Sequence, residues 1–100
     1  MFTEAQWRAS IAKLATEFAV QLTESLTVAE AFEVAKAQGG ESDDTVCHLH
    51  DVCDANVVMW NAFTKVFQDE PDLTDEDLDV PLINAAWPIG RQAFFARVLP

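Results

Sequence analysis

A chain of 100 residues, half of them hydrophobic, has material for one core and not for two, which excludes a multidomain protein and equally excludes a disordered acidic tail. Its formal net charge of −11 opposes anionic lipid headgroups and nucleic-acid phosphates and suits a basic protein surface, including one that ordinarily holds nucleic acid. No uninterrupted apolar run approaches the ~20 residues that span a bilayer, and the opening MFTEAQWRAS lacks a basic region followed by an apolar one, so the expectation is a cytoplasmic protein with no membrane contact.

The first helix is expected to start at Thr3. Thr3 and Gln6 have the capping-box spacing, Glu4 suits the positive end of the helix dipole, and Phe2 is placed to act as a hydrophobic staple. Apolar residues then recur at Trp7, Ile11, Leu14, Ala15, Phe18 and Leu22, the i, i+3, i+4 stripe of an amphipathic helix, which reads Trp7 as a core aromatic rather than a partner anchor. Thr27 and Glu30 repeat the capping spacing and open a second helix expected to bury Val28, Ala31, Phe32 and Ala35. Between the two helices LTESL has neither Gly nor Pro, so a turn over residues 24–27 and a kinked fusion are both compatible with it. Lys36 suits the negative end of the second helix, and Gly39 and Gly40 stop it.

Residues 43–68, DDTVCHLHDVCDANVVMWNAFTKVFQ, are expected to form the longest helix and the spine of the core. Ser42 or Asp43 caps it, and Asp43 and Asp44 fall in its first turn. One apolar line runs through Val46, Leu49, Cys53, Val57, Trp60, Phe63 and Phe67; a second, through Val52, Ala55, Met59, Ala62 and Val66, widens it. A helix apolar over so much of its circumference is covered on more than one side. At ~1.5 Å per residue it would span ~39 Å.

Pro71 closes that helix. Residues 69–79 read DEPDLTDEDLD, with Leu73 and Leu78 as apolar anchors and Thr74 placed to cap a short helical turn. Pro81 suits the first turn of a last helical segment. Pro88 and Gly90 divide that segment into two short helices, near residues 82–87 and 89–99, which dock Ile83, Trp87, Phe94, Phe95 and Val98 on the central helix. No alternating strand pattern or hairpin turn pair competes. The fold class is therefore all-α, a compact bundle of about four to five helices around a long central helix, in one domain over residues 1–100.

The candidate chemistry lies on the central helix. At ~100° per residue Cys47, His50, Asp51 and Asp54 share one face, and thiolate, imidazole and carboxylate are all zinc-ligand types. Cys47 with His50 or Asp51 would alternatively make a thiol nucleophile. Four ligands from one straight helix rarely converge on one ion, Asp43, Asp44 and Asp51 oppose a thiolate, and no CxxC, HExxH or glycine-rich phosphate loop occurs. Cys53 reads more simply as a small core residue, and His50 with Asp54 as an i, i+4 pair on a polar strip. Cys47 and Cys53, ~9 Å apart in rise on one helix, are expected as free thiols. No metal, no cofactor and no enzymatic activity are expected. Direct nucleic-acid binding is disfavoured, because the six basic residues form no patch.

Charge is segmented. Residues 1–40 hold five acids against three bases, residues 41–79 twelve against one, and residues 80–100 none against two. Asp69, Glu70, Asp72, Asp75, Glu76, Asp77 and Asp79 crowd together with no Lys or Arg between them, so they repel one another. The plain reading is a solvated surface. The functional reading is a contact for a basic partner, made by these residues with Glu41, Asp43 and Asp44. Duplex DNA carries one charge per ~1.7 Å of axis, a density that close-set carboxylates approach.

Size, acidity, the absence of a catalytic signature and a helical body together resemble the small phage-encoded anti-CRISPR proteins, and the stretch HLHDVCDANVVM is similar to stretches of short phage or prophage proteins. The resemblance implies an inhibitor in the host cytoplasm. It would act as a DNA mimic, binding a basic nucleic-acid-handling surface of a CRISPR effector complex and blocking target DNA binding or nuclease recruitment. That group shares no common sequence pattern, so no residue role follows from it. The alternatives are a small metal-binding or thiol enzyme using Cys47, His50, Asp51 and Asp54, and a helical module that oligomerises through Trp60, Phe63 or the Trp87 region.

Overall fold

The computed structural model of the chain describes residues 3–38, 42–69 and 80–98. These form five helices: α1 (Glu4–Ser25), α2 (Val28–Gln38), α3 (Asp43–Val52), α4 (Ala55–Asp69) and α5 (Val80–Val98). The all-α bundle around a long central helix is therefore what the chain adopts. The long central helix, however, is α1, not residues 43–68. Its 22 residues cover ~33 Å at ~1.5 Å each, most of the 41 Å long dimension of the molecule. It packs chiefly on α5 and then on α4, while α2 packs on α3 and touches α5.

The start of α1 follows its sequence. Thr3 Oγ1 accepts from the Gln6 N–H at 3.2 Å, and Gln6 Oε1 accepts from the Thr3 N–H at 2.9 Å, a complete capping box. The helix ends at a true turn: Leu26 is extended (φ −115°, ψ 143°) and buried. Thr27 then caps α2, its hydroxyl accepting from the Glu30 N–H at 3.2 Å and donating to Glu30 Oε1 at 2.8 Å. This is half a capping box, because the Glu30 carboxylate holds the Thr27 hydroxyl instead of the Thr27 N–H. α2 buries Ala31, Val34 and Ala35. Val28 and Phe32, expected inside, are exposed: Phe32 lies ~100° round the helix from Ala31, and Val28 sits in the first turn, beyond the covered stretch.

The expected helix over residues 43–68 is broken at Cys53 and Asp54. The Cys53 N–H and thiol both donate to the Leu49 carbonyl, each at 2.9 Å, which finishes α3. Asp54 leaves the helix and caps α4, its Oδ1 accepting from the Asn56 and Val57 N–H groups at 3.1 and 3.3 Å. The break resets the helical phase. α4 buries Ala55, Val58, Ala62 and Val66 and turns Val57 and Trp60 outward, so the apolar line first expected inside is partly the outer face.

α5 corrects the expectation of two short helices, for it runs unbroken through Pro88 and Gly90. Pro88 removes one donor and orphans the Asn84 carbonyl. Asn84 and Pro88 are both exposed, so water reaches that side of the helix, while the opposite face buries Leu82, Ala86, Trp87, Phe94 and Phe95. These residues dock mainly on α1 rather than on the helix expected to be central. Gly90 sits at the closest approach: a Cβ there would lie 2.6 Å from Phe18 Cβ and 2.9 Å from the Ala15 carbonyl oxygen. The Trp87 ring meets Phe18 edge-on at 5.2 Å. Phe18 and Phe94 are fully buried, each contributing about 1.5–3 kcal/mol through transfer from water.

Candidate functional site

The helix break decides what becomes of the Cys, His and Asp cluster. Cys47, His50 and Asp51 lie on α3 and are exposed, but Asp54 belongs to the cap of α4, with one carboxylate oxygen committed to two backbone N–H groups. The single polar face expected from continuous helical spacing is therefore not formed. The His50 ring packs near-perpendicular to Trp87 at 6.5 Å, linking α3 to α5. Among the described residues no group of three or more His, Cys, Asp or Glu is placed to hold a metal ion. Both cysteines are free; Cys47 is exposed and Cys53 buried. Burial, and then the neighbouring Asp54 carboxylate, push the Cys53 thiol above its ordinary pKa, which keeps it protonated and weakly nucleophilic.

Of the acids expected at a partner contact, Asp43 and Asp44 are placed. Both are exposed in the first turn of α3, where Ser42 stands at the N-cap with its carbonyl accepting from Val46 at 3.1 Å. Negative charge is favoured there by the helix dipole, so these carboxylates are stable without a basic partner. Glu41, Glu70, Asp72, Asp75, Glu76, Asp77 and Asp79 lie outside the described residues, as do the Asp69 side chain, the Phe67 side chain, the Phe2 staple, the Gly39–Gly40 stop, the Leu73 and Leu78 anchors, the Thr74 turn and Leu99.

Among the described residues, surface grooves lie between two of the helix pairs. One, of about 410 Å³, runs between α1 and α4 and is lined by Ala12, Lys13, Thr16, Glu17 and Val66. On α4, Lys65 Nζ stands 3.7 Å from Glu17 Oε2, too long for a hydrogen bond, so charge alone holds that oxygen. The other, of about 300 Å³, lies between α2 and α3 and is lined by Ala29, Glu30, Glu33, Val34, His48 and Val52.

The feature that periodicity misplaced is the outer face of α4. Trp60 is 67 % exposed and Val57 50 %. Trp60 stacks on Phe63 at 5.8 Å with the planes 14° apart, which fixes the indole on the surface. The Thr64 hydroxyl donates to the Trp60 carbonyl at 2.8 Å and so turns its polarity inward. A sequence signal does accompany this face: residues 55–68 contain no acid, although they lie inside the most acidic part of the chain.

Searches of protein-family models, of curated proteins and of solved structures find no match to this chain.

Proposed function

We infer that the protein works by binding, as a stoichiometric inhibitor or adaptor whose acidic segment occupies a basic, nucleic-acid-handling surface of another protein. The observation that carries this reading is the charge segmentation, twelve acids against one base over residues 41–79. A run of like charges without interleaved bases lowers the stability of the chain that bears it, and a Lys- and Arg-lined surface relieves that repulsion. Asp43 and Asp44, exposed at the start of α3, extend the same acidic segment on its N-terminal side. A CRISPR effector complex is the partner class the general resemblance points to, with target DNA or a recruited nuclease as the competitor.

The test is competition. At saturating protein, the effector complex is expected to lose target DNA or its nuclease, and the association rate is expected to fall steeply with salt. Replacing Asp75, Glu76 and Asp77 together by Lys is expected to weaken the complex while the helical circular dichroism is unchanged. Normal DNA and nuclease binding by the effector at saturation refutes the reading.

A further inference from the structure

We propose that α2 and α3 form a lid on the body made by α1, α4 and α5, a lid that opens as one unit about two joints, Leu26–Thr27 and Cys53–Asp54. This is a property of the fold and holds whether or not the acidic segment meets a basic partner.

The packing divides the molecule in this way. α1 packs chiefly on α5 and then on α4, so the body is held along the length of α1. α2 packs on α3 and touches the body at α5, and α3 meets α5 through the His50 ring at Trp87. Burial follows the same division. Among the described residues, of the eight largest fully buried side chains six belong to the body, and the lid supplies Leu49 and Val34. α2 otherwise buries Ala31 and Ala35, whose small side chains remove little apolar area from water. The seam between lid and body is therefore weaker than the seam between α1 and α5, and a weakly docked supersecondary unit is the part of a protein that opens first.

The joints let the lid leave without dismantling a helix cap. At the first, Leu26 is extended after the end of α1, and Thr27 caps α2 through its bonds with Glu30. At the second, the Cys53 N–H and thiol close α3 on the Leu49 carbonyl, while Asp54 caps α4 through Asn56 and Val57. Each of these caps lies wholly on one side of its joint. Hinges are commonly such element-terminal residues, and they need not be glycine. The exposed Glu33, Asp43, Asp44 and Asp51 travel with the lid. Opening takes His50 away from Trp87 and leaves Trp87 its edge contact with Phe18 inside the body.

Helices of 11 and 10 residues are marginal in water once undocked, so an open lid gives up its amides to exchange. Native-state hydrogen exchange at residue resolution therefore reads the opening. Amides in the middle of α2 and α3 are expected to share one opening, at least about tenfold more frequent than that of the buried amides of α1, α4 and α5. Two matched substitutions separate lid opening from unfolding of the whole protein. Val66→Ala, buried in the body where α4 faces α1, is expected to speed exchange in α1, α4 and α5 about fivefold and to leave α2 and α3 unchanged. Val34→Ala, buried in the lid, is expected to speed exchange in all five helices by one common factor, because its contacts are lost in lid opening and in complete unfolding alike. Circular dichroism verifies that each variant is folded. Wild-type α2 and α3 amides as protected as those of the body overturn the proposal. So does an opening of α2 that differs from that of α3, or a folded Val66→Ala variant in which α2 and α3 accelerate together with the body.

Discussion

Gly90→Ala tests the packing on which the whole bundle rests. The added Cβ would stand 2.6 Å from Phe18 Cβ and 2.9 Å from the Ala15 carbonyl oxygen. Carbon atoms in ordinary contact lie ~3.5–4.0 Å apart, so the first overlap alone is about 1 Å. Neither neighbour can rotate away: a Cβ is fixed to its backbone, and the Ala15 oxygen is part of α1. Relief requires α1 and α5 to separate locally, which loosens the contacts of Leu14, Phe18 and Phe94, all completely buried, and the edge contact of Phe18 with Trp87. Overpacking of this kind costs about 1–3 kcal/mol. Alanine returns about 1 kcal/mol through better helix propensity and a less flexible unfolded chain. The rigidity of both neighbours places the cost at the upper end, so the net loss is about 1.5 kcal/mol. In a domain of this size that lowers Tm by about 6–12 °C. Urea and thermal unfolding followed by helical circular dichroism measure it, with Ile89→Ala as the control, since Ile89 is 49 % exposed and its truncation is expected to cost under about 1 kcal/mol. A Gly90→Ala protein as stable as the wild type, or more stable, would refute a close approach of α1 and α5 at this point.

Asp54→Ala is expected to lose about 1 kcal/mol in urea unfolding, whereas Asp54→Asn, which keeps an acceptor for the Asn56 and Val57 N–H groups, is expected to lose much less; equal losses would deny the cap. Pro88→Ala is expected to stabilise by about 1–3 kcal/mol, because it restores a donor to the Asn84 carbonyl within one continuous helix, and a loss of stability would mean that the break between two helices is real. Iodoacetamide is expected to modify exposed Cys47 promptly and buried Cys53 only on unfolding, as read by mass spectrometry of the digested protein. The raised Cys53 pKa has a definite sign in stability: the folded state holds the proton more tightly, so its contribution is complete below about pH 8.5, the ordinary thiol value, and is lost as pH climbs through the raised one. Cys53→Ala is expected to flatten that alkaline decline in urea midpoints, and an unchanged slope would assign it to other groups.

The parts of the fold that were legible in the sequence are those where one local interaction settles the matter. The Thr3 and Gln6 box starts α1 as its spacing says, and the Leu14, Phe18 and Leu22 stripe is wholly buried. Where two tendencies competed, tertiary packing chose. Pro88 disfavours a helix interior, yet the burial of Leu82, Ala86, Phe94 and Phe95 along one face outweighs a single missing donor whose carbonyl faces water. The break at Cys53 and Asp54 was illegible for a different reason. It contains no Gly or Pro, and its agents are a thiol that turns back to Leu49 and a carboxylate that turns forward to α4, both also acceptable inside a helix. That undetected change of phase carries the functional consequence. Continuous spacing put Asp54 in a cluster with Cys47 and His50 and put Trp60 in the core. The actual arrangement takes Asp54 out of the cluster as the cap of α4 and exposes Trp60. Residues 43–68 are therefore two helices rather than one: α3 carries exposed acids at its start, and α4 turns Val57 and Trp60 to solvent.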